Sequence, residues 1–204
     1  MTALSRYDVG EKDFGLIGNV LKNKLQITDQ KTLSDMETVL LSDTYTFYTK
    51  LAKDKKIEFT SEFIFELHHY FLGTLYDWAG KVRAVNISKG GCMFAPAERL
   101  GFALKEFDSI LQKNEISPDD PKNILAKKLA IITCELNFIH PFREGNGRTN
   151  RLFVDLMLLQ NGHEFVDYSL VSTRAYISAC VYGMEKEYDK MQRIFMRCLK
   201  NKKV

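Results

Sequence analysis

The sequence predicts one mostly α-helical domain carrying a β-hairpin. Three observations lead there. Apolar residues recur at three- and four-residue intervals through several segments, and one short β-branched run, Val82 to Ile87, is followed by a Ser88-Lys89-Gly90-Gly91 turn signal. The 204 residues, 45% hydrophobic and 12% aromatic, suffice for one sizeable core. With no repeat, low-complexity segment or linker, residues 1–204 read as a single domain. It divides into an N-terminal arm over about 1–27, a core over about 28–165 and a C-terminal helix over about 173–200.

From about Asp29, Leu33, Met36, Leu40, Phe47 and Leu51 mark an amphipathic helix that ends near Asp54-Lys55-Lys56. Thr60 caps a second helix with Phe63, Ile64, Leu67, Phe71 and Leu75 on its apolar face and Gly80 as its end. His68 and His69 read as half-buried residues of that helix; without a third ligand at metal spacing they make no zinc site. Val82 to Ile87 and Cys92-Met93-Phe94 form the strands of the hairpin. Its exposed edge would offer unpaired N–H and C=O groups, which makes Ile87, Ser88, Lys89, Gly90, Gly91 and Cys92 candidates for holding an extended segment of another chain. A hairpin that only covers the core is the alternative.

Pro96 opens a helix bearing Leu100, Leu104, Phe107 and Leu111, and Asp120-Pro121 reads as the N-cap and first position of the next. Ile124, Leu125, Leu129, Ile132 and Leu136 carry that helix to a glycine-rich loop. Leu152, Phe153, Leu156, Met157 and Leu159 bury the following helix, which Asn161-Gly162 terminates. A last helix, from about Thr173 to Lys200, carries a core stripe from Tyr176 to Cys198.

A formal net charge of +3, from 29 basic and 26 acidic residues, gives little reason to expect a nucleic-acid or membrane partner. The four cysteines, Cys92, Cys134, Cys180 and Cys198, have no Cys-x-x-Cys spacing and read as reduced thiols. No run approaches the ~18 apolar residues of a membrane span and no basic-then-apolar signal region is present. A cytoplasmic protein is expected, unless it is exported by a route that needs no such signal.

The chemistry concentrates in His140-Pro141-Phe142-Arg143-Glu144-Gly145-Asn146-Gly147-Arg148-Thr149-Asn150-Arg151. Gly145-Asn146-Gly147 precedes a helix, so its N–H groups can converge on an anion with the helix dipole behind them. Arg148 and Arg151, three apart, share a face and suit polyphosphate oxygens. Glu144 beside phosphates makes sense with a hard cation such as Mg2+ between them. His140, with an ordinary pKa of about 6.5, can take a proton from a hydroxyl. Each residue has a plain structural reading as cap, turn or solvated face; it is their joint presence in one short run that argues for transfer of a phosphorus group from a nucleotide to a hydroxyl.

The run resembles the Fic signature His-Pro-Phe-x-Asp/Glu-Gly-Asn-Gly-Arg-x-x-Arg at every specified position. Tyr76-Asp77-Trp78-Ala79-Gly80 and the arm segment Leu21-Lys22-Asn23-Lys24-Leu25 also resemble stretches of small bacterial Fic proteins. The resemblance covers about residues 7–190. It implies the Fic fold, a helical bundle with the active loop between two core helices and a hairpin flap. It also implies transfer of AMP from ATP to a Ser, Thr or Tyr hydroxyl of a target protein, with release of pyrophosphate. By that resemblance His140 is the base and Glu144 holds Mg2+. Gly145, Asn146 and Gly147 cradle phosphate, Arg148 and Arg151 grip the β- and γ-phosphates, Phe142 fixes the loop, and the flap docks the target by strand addition.

Many Fic proteins are restrained by a helix carrying Ser/Thr-x-x-x-Glu-Gly/Asn. No Ser or Thr here has Glu four residues later. Two expectations follow: a separate small antitoxin supplies that helix, or Glu187, in Gly183-Met184-Glu185-Lys186-Glu187-Tyr188, is a degenerate internal brake. Transfer of phosphate, as in Doc relatives, or of another nucleotide is the alternative chemistry, although Doc-type loops have Ala and Lys where this chain has Gly145 and Gly147. A non-enzymatic module that binds through the hairpin edge is a third reading.

Overall fold

The structure, a computed structural model, describes residues 8–9, 15–17, 20–89 and 92–200. Short strands β1 (Asp8–Val9), β2 (Leu16–Ile17) and β3 (Val20–Leu21) lead into helix α1 (Gln30–Lys53), which Asp29 caps by accepting from the Thr32 N–H at 2.7 Å. Asn23, 6% exposed, exchanges hydrogen bonds with the Ile27 backbone, and the Lys24 N–H donates to Leu75 O at 2.8 Å.

Helix α2 (Ser61–Leu72) starts at the expected cap, Thr60, whose hydroxyl accepts from the Phe63 N–H. It stops at Gly73 rather than Gly80, because the Leu75 and Tyr76 N–H groups turn back onto Leu72 O and bury both side chains. Gly80, at φ +73, instead closes the turn that follows, where an added Cβ would meet His69 Cβ at 2.6 Å and Phe65 O at 3.0 Å.

The hairpin is shorter and later than expected. Its strands are β4 (Ile87–Lys89) and β5 (Cys92–Met93), with Ser88 opposite Met93 and Lys89 opposite Cys92. Residues 82–86 stay out of the ladder, since the Arg83 backbone and side chain are engaged elsewhere, as described below. Gly90 and Gly91 lie outside the described residues. β1 pairs antiparallel with β4, Asp8 opposite Ser88 and Val9 opposite Ile87, so the sheet runs β1-β4-β5 and the arm covers one of the two hairpin edges that the sequence left open.

A 3-10 turn after Pro96 leads into α3 (Leu100–Lys113), followed by α4 (Lys122–Ile139) and α5 (Asn146–Gln160). Pro121 itself is the N-cap of α4, while the Asp120 carboxylate accepts from the Ser117 N–H and Lys128. The expected final helix is two, α6 (Thr173–Met184) and α7 (Asp189–Cys198). The break is local: Lys186 adopts φ +64, and the Tyr188 hydroxyl donates to Glu135 of α4.

α4 is the central helix, packed on α3, α5, α6 and α7, while α1 lies across α2 and α5. Leu129, Ala130, Ile132 and Cys134 of α4 and Leu152, Phe153, Val154 and Leu156 of α5 are fully buried. The four cysteines are free, three of them buried. Among the described residues no helix is long and apolar enough to cross a membrane.

The α4–α6 crossing is tight. A Cβ on Gly183 would sit 2.3 Å from Cys134 Sγ, whereas one on exposed Gly101 of α3 meets nothing within 4 Å. Gly183→Ala is expected to lower unfolding free energy by about 1–3 kcal/mol through overpacking. Gly101→Ala is expected to raise it by about 0.5–1 kcal/mol through lost unfolded-state freedom. Urea denaturation of both variants checks the pair.

Candidate active site

Pro141 cannot follow a residue in helical geometry easily, and α4 accordingly stops at His140, which adopts φ 48, ψ 60. The His140 Nδ1 lies 2.9 Å from Asn137 O; a carbonyl only accepts, so Nδ1 carries the proton and Nε2 is the acceptor nitrogen. The imidazole is 4% exposed and stacks on Phe94 of the flap at 3.7 Å between centroids.

The loop is held from inside and from behind. Asn146 closes it, accepting from the Phe142 N–H at 2.9 Å and donating to Phe142 O at 2.7 Å. Phe142, 1% exposed, stacks on the buried His68 ring at 3.7 Å, which is the anchoring role expected of it. The Gly80 N–H donates to His68 Nδ1 at 2.9 Å, so His68 Nε2–H donates to Glu144 O, also at 2.9 Å. His68 is therefore a fully buried bridge between two loops, not the half-buried helix residue that periodicity suggested. Gly145 turns the chain at φ +84, where an added Cβ would meet Leu72 at 2.8 Å and His68 at 3.2 Å.

Asn146 and Gly147 begin α5, so their N–H groups belong to a first turn without intrahelical acceptors. The Asn146 side chain is spent on the loop, which leaves its backbone as the part that can meet an anion. Glu144, 6% exposed, accepts from the Gly145 N–H through Oε1 at 2.9 Å. Arg148 Nη1 donates to Glu37 Oε2 at 2.6 Å, and Glu37 Oε1 accepts from the Tyr76 hydroxyl at 2.5 Å. Arg148 Nη2, 3.7 Å from Glu144 Oε1, is buried without a hydrogen-bond partner. A guanidinium nitrogen that makes no hydrogen bond beside a helix N-terminus has donor capacity left over for an anion. Arg151 lies one turn on, its guanidinium 5.9 Å from the Tyr168 ring.

These groups converge on a cavity of about 880 Å³. Its walls include Lys89, Cys92 and Phe94 of the flap, His140, Glu144, Gly145, Gly147, Arg148 and Arg151 of the loop and α5, and Tyr176, Ile177 and Val181 of α6. Of the expected flap residues, Ile87 is 1% exposed and packs on Phe94 and Met184 instead of facing the cavity. Glu187 is exposed in the bend between α6 and α7 and does not line the cavity. Sequence reading missed Glu37, which lay in a helix read only for apolar periodicity, and Tyr76, Arg83 and Phe94, which fell within quoted segments but were given no role.

The Fic/DOC family profile matches residues 58–158, the stretch that spans α2, the flap, α4, the loop and most of α5. Residues 58–158 form a Fic/DOC domain. The Sinorhizobium fredii protein named "Probable protein adenylyltransferase y4lH" is 28% identical over 164 residues, which are 80% of this chain and 82% of that protein. The protein adenylyltransferase VbhT of Bartonella schoenbuchensis is 27% identical over 88% of this chain and 37% of its own length. An Escherichia coli Fic protein is 28% identical over 64% of this chain and 65% of its own, so the match spans less than two thirds of the latter two relatives. The Bartonella tribocorum BepC structure, solved with AMPPNP, superposes with a TM-score of 0.74 at 23% identity over 90% of this chain and 94% of its own. The Fic domain of Bep8 from Bartonella sp. 1-1C gives 0.75 at 23% over 91% and 93%. These likenesses establish the Fic fold.

Burial, the largest influence on both rings, lowers His68 to about 4 and His140 to about 3. Unfolded histidines titrate near 6.5, so between pH 6.5 and about 4 the unfolded chain binds more protons and stability falls as pH falls. From pH 7.5 to 5 the two histidines together cost about 4 kcal/mol. Asp155, whose carboxyl burial raises to about 6, works the other way and returns about 1 kcal/mol. The urea midpoint is expected to drop clearly over this interval; an unchanged midpoint would show that the two rings are not held neutral.

Proposed function

We propose that the chain is a protein adenylyltransferase, moving AMP from ATP to a Ser, Thr or Tyr hydroxyl of a target protein and releasing pyrophosphate. The observation that carries this reading is the single cavity in which a neutral histidine acceptor, a glycine-lined helix N-terminus and two guanidinium groups meet. The names of the Fic relatives and the AMPPNP in BepC support the same chemistry. His140 Nε2 takes the proton of the target hydroxyl, whose oxygen bonds to the α-phosphorus as the bond from that phosphorus to the β-bridging oxygen breaks. Arg148 Nη2, Arg151 and the first-turn amides of α5 hold the departing β- and γ-phosphates. Negative phosphate close to the buried imidazole raises its proton affinity towards the working range when nucleotide is present.

One carboxylate beside phosphate oxygens is the donor set Mg2+ commonly takes, and Glu144 fits it. Mg2+ would neutralise charge building on the leaving pyrophosphate. Gly145 and Gly147 stand where Doc-type loops carry Ala and Lys, and that difference favours AMP transfer over phosphate transfer. With the β4 edge paired to β1, the target strand would add along β5, where Met93 is 62% exposed. ATP supply and four free cysteines are consistent with a cytoplasmic reaction.

Purified protein with Mg2+, a bacterial lysate and ATP labelled at the α- or the γ-phosphate tests the reading. Label in protein from the α-phosphate alone is expected, falling at least 100-fold in His140→Ala. Label from the γ-phosphate alone would replace AMP transfer with phosphotransfer.

We place the restraint outside this chain, in a separate small protein whose helix reaches Arg151. Glu187→Gly should then leave the transfer rate of the isolated protein within about twofold of wild type. A large rise would return the brake to Glu187.

A further inference from the structure

We infer that Arg83 is a positioning residue that fastens the flap to the general base, so that the target-docking strand and His140 keep one fixed relation. Arg83 is 4% exposed, yet none of its hydrogen bonds goes to a carboxylate. Nε donates to His140 O at 2.7 Å and Nη2 to Ile139 O at 3.3 Å, two carbonyls at the C-terminal end of α4. Nη1 donates to Val85 O at 2.7 Å on the way into the flap, and Nη2 also donates to Ala95 O at 2.5 Å on the way out. Its own backbone N–H donates to Pro141 O at 2.9 Å.

The arrangement solves a problem that α4 cannot solve for itself. A buried helix end leaves carbonyls without partners and a partial negative charge, and the last turn of α4 has no basic residue of its own. Arg83 supplies both donors and charge from another part of the chain. One planar group thus spans the two feet of the hairpin and the backbone of the base. Further contacts reinforce the join: the Ala95 N–H donates to Phe138 O at 3.0 Å, and Phe94 stacks on the His140 ring. No atom of Arg83 lines the cavity, so the effect on chemistry runs through His140 and the flap. Lysine keeps the charge but concentrates three donors at one point, and it cannot span four carbonyls.

The kinetic test rests on the adenylyl-transfer reading. Arg83→Lys and Arg83→Met are assayed at a temperature where each is folded by circular dichroism. ATP affinity is measured by calorimetry, and the rate of AMP transfer from α-labelled ATP in a single turnover. The expected result is ATP affinity within about threefold of wild type, with transfer at least tenfold slower in Arg83→Lys and slower still in Arg83→Met. An unchanged rate, or affinity and rate falling together, would overturn the inference. If Arg83→Met does not fold, Arg83→Lys alone decides. If the wild-type protein transfers no AMP, the functional reading fails, and hydrogen exchange still judges the clamp. The Phe94 and Ala95 amides should exchange at least tenfold faster in Arg83→Lys, and unchanged exchange there would remove it.

Discussion

Two helix ends meet inside this protein, and the rest of the structure is arranged around what their backbone groups require. α4 runs through the middle of the bundle and stops at His140; α5 begins five residues after Pro141. A buried C-terminus has carbonyls to satisfy and a buried N-terminus has N–H groups to satisfy. The fold treats the two differently. Carbonyls at the end of α4 receive a guanidinium from Arg83, whereas Gly145 and Gly147 at the start of α5 line a cavity beside Arg148 and Arg151. One end is closed by the chain and the other opens on the cavity.

The charges around that junction follow from the same logic. Arg148 is anchored from the rear by Glu37, itself tied to Tyr76, and this leaves one face of the guanidinium toward the cavity. Glu144 sits on the Gly145 amide, within reach of the same arginine. His68 and His140 carry no charge because burial disfavours it, so one can bridge two loops and the other can accept a proton. Two carboxylates and two imidazoles crowd around these arginines, and each is given a partner or held neutral.

The helices were legible in the sequence because burial on one side leaves a period of three to four residues, and the loop was legible because its chemistry lies within twelve consecutive positions. Thr60 capped where a threonine before an apolar run should. What escaped notice shares a cause. Glu37, Tyr76 and Arg83 reach their partners across 111, 39 and 57 residues respectively, and such long-range bonds leave no local pattern. His68 occupied an apolar stripe and was read as packing, although both ring nitrogens are in use. The end of α2 and the break between α6 and α7 were misplaced because backbone turns onto Leu72 O, and a positive φ at Lys186, override a continuing apolar period.

The strand of the arm laid along β4 has a meaning beyond the covering of an edge. A bare hairpin has two sides on which another strand can add, and copies joined through both would extend without end. Here the side along β4 belongs to the chain's own N-terminal segment, so β5 is the one hairpin strand with a side left for another strand, and β1 becomes the sheet's other edge. The arm makes β4 the middle strand of a sheet, with both of its sides taken, and ties the placing of the hairpin to a distant part of the chain.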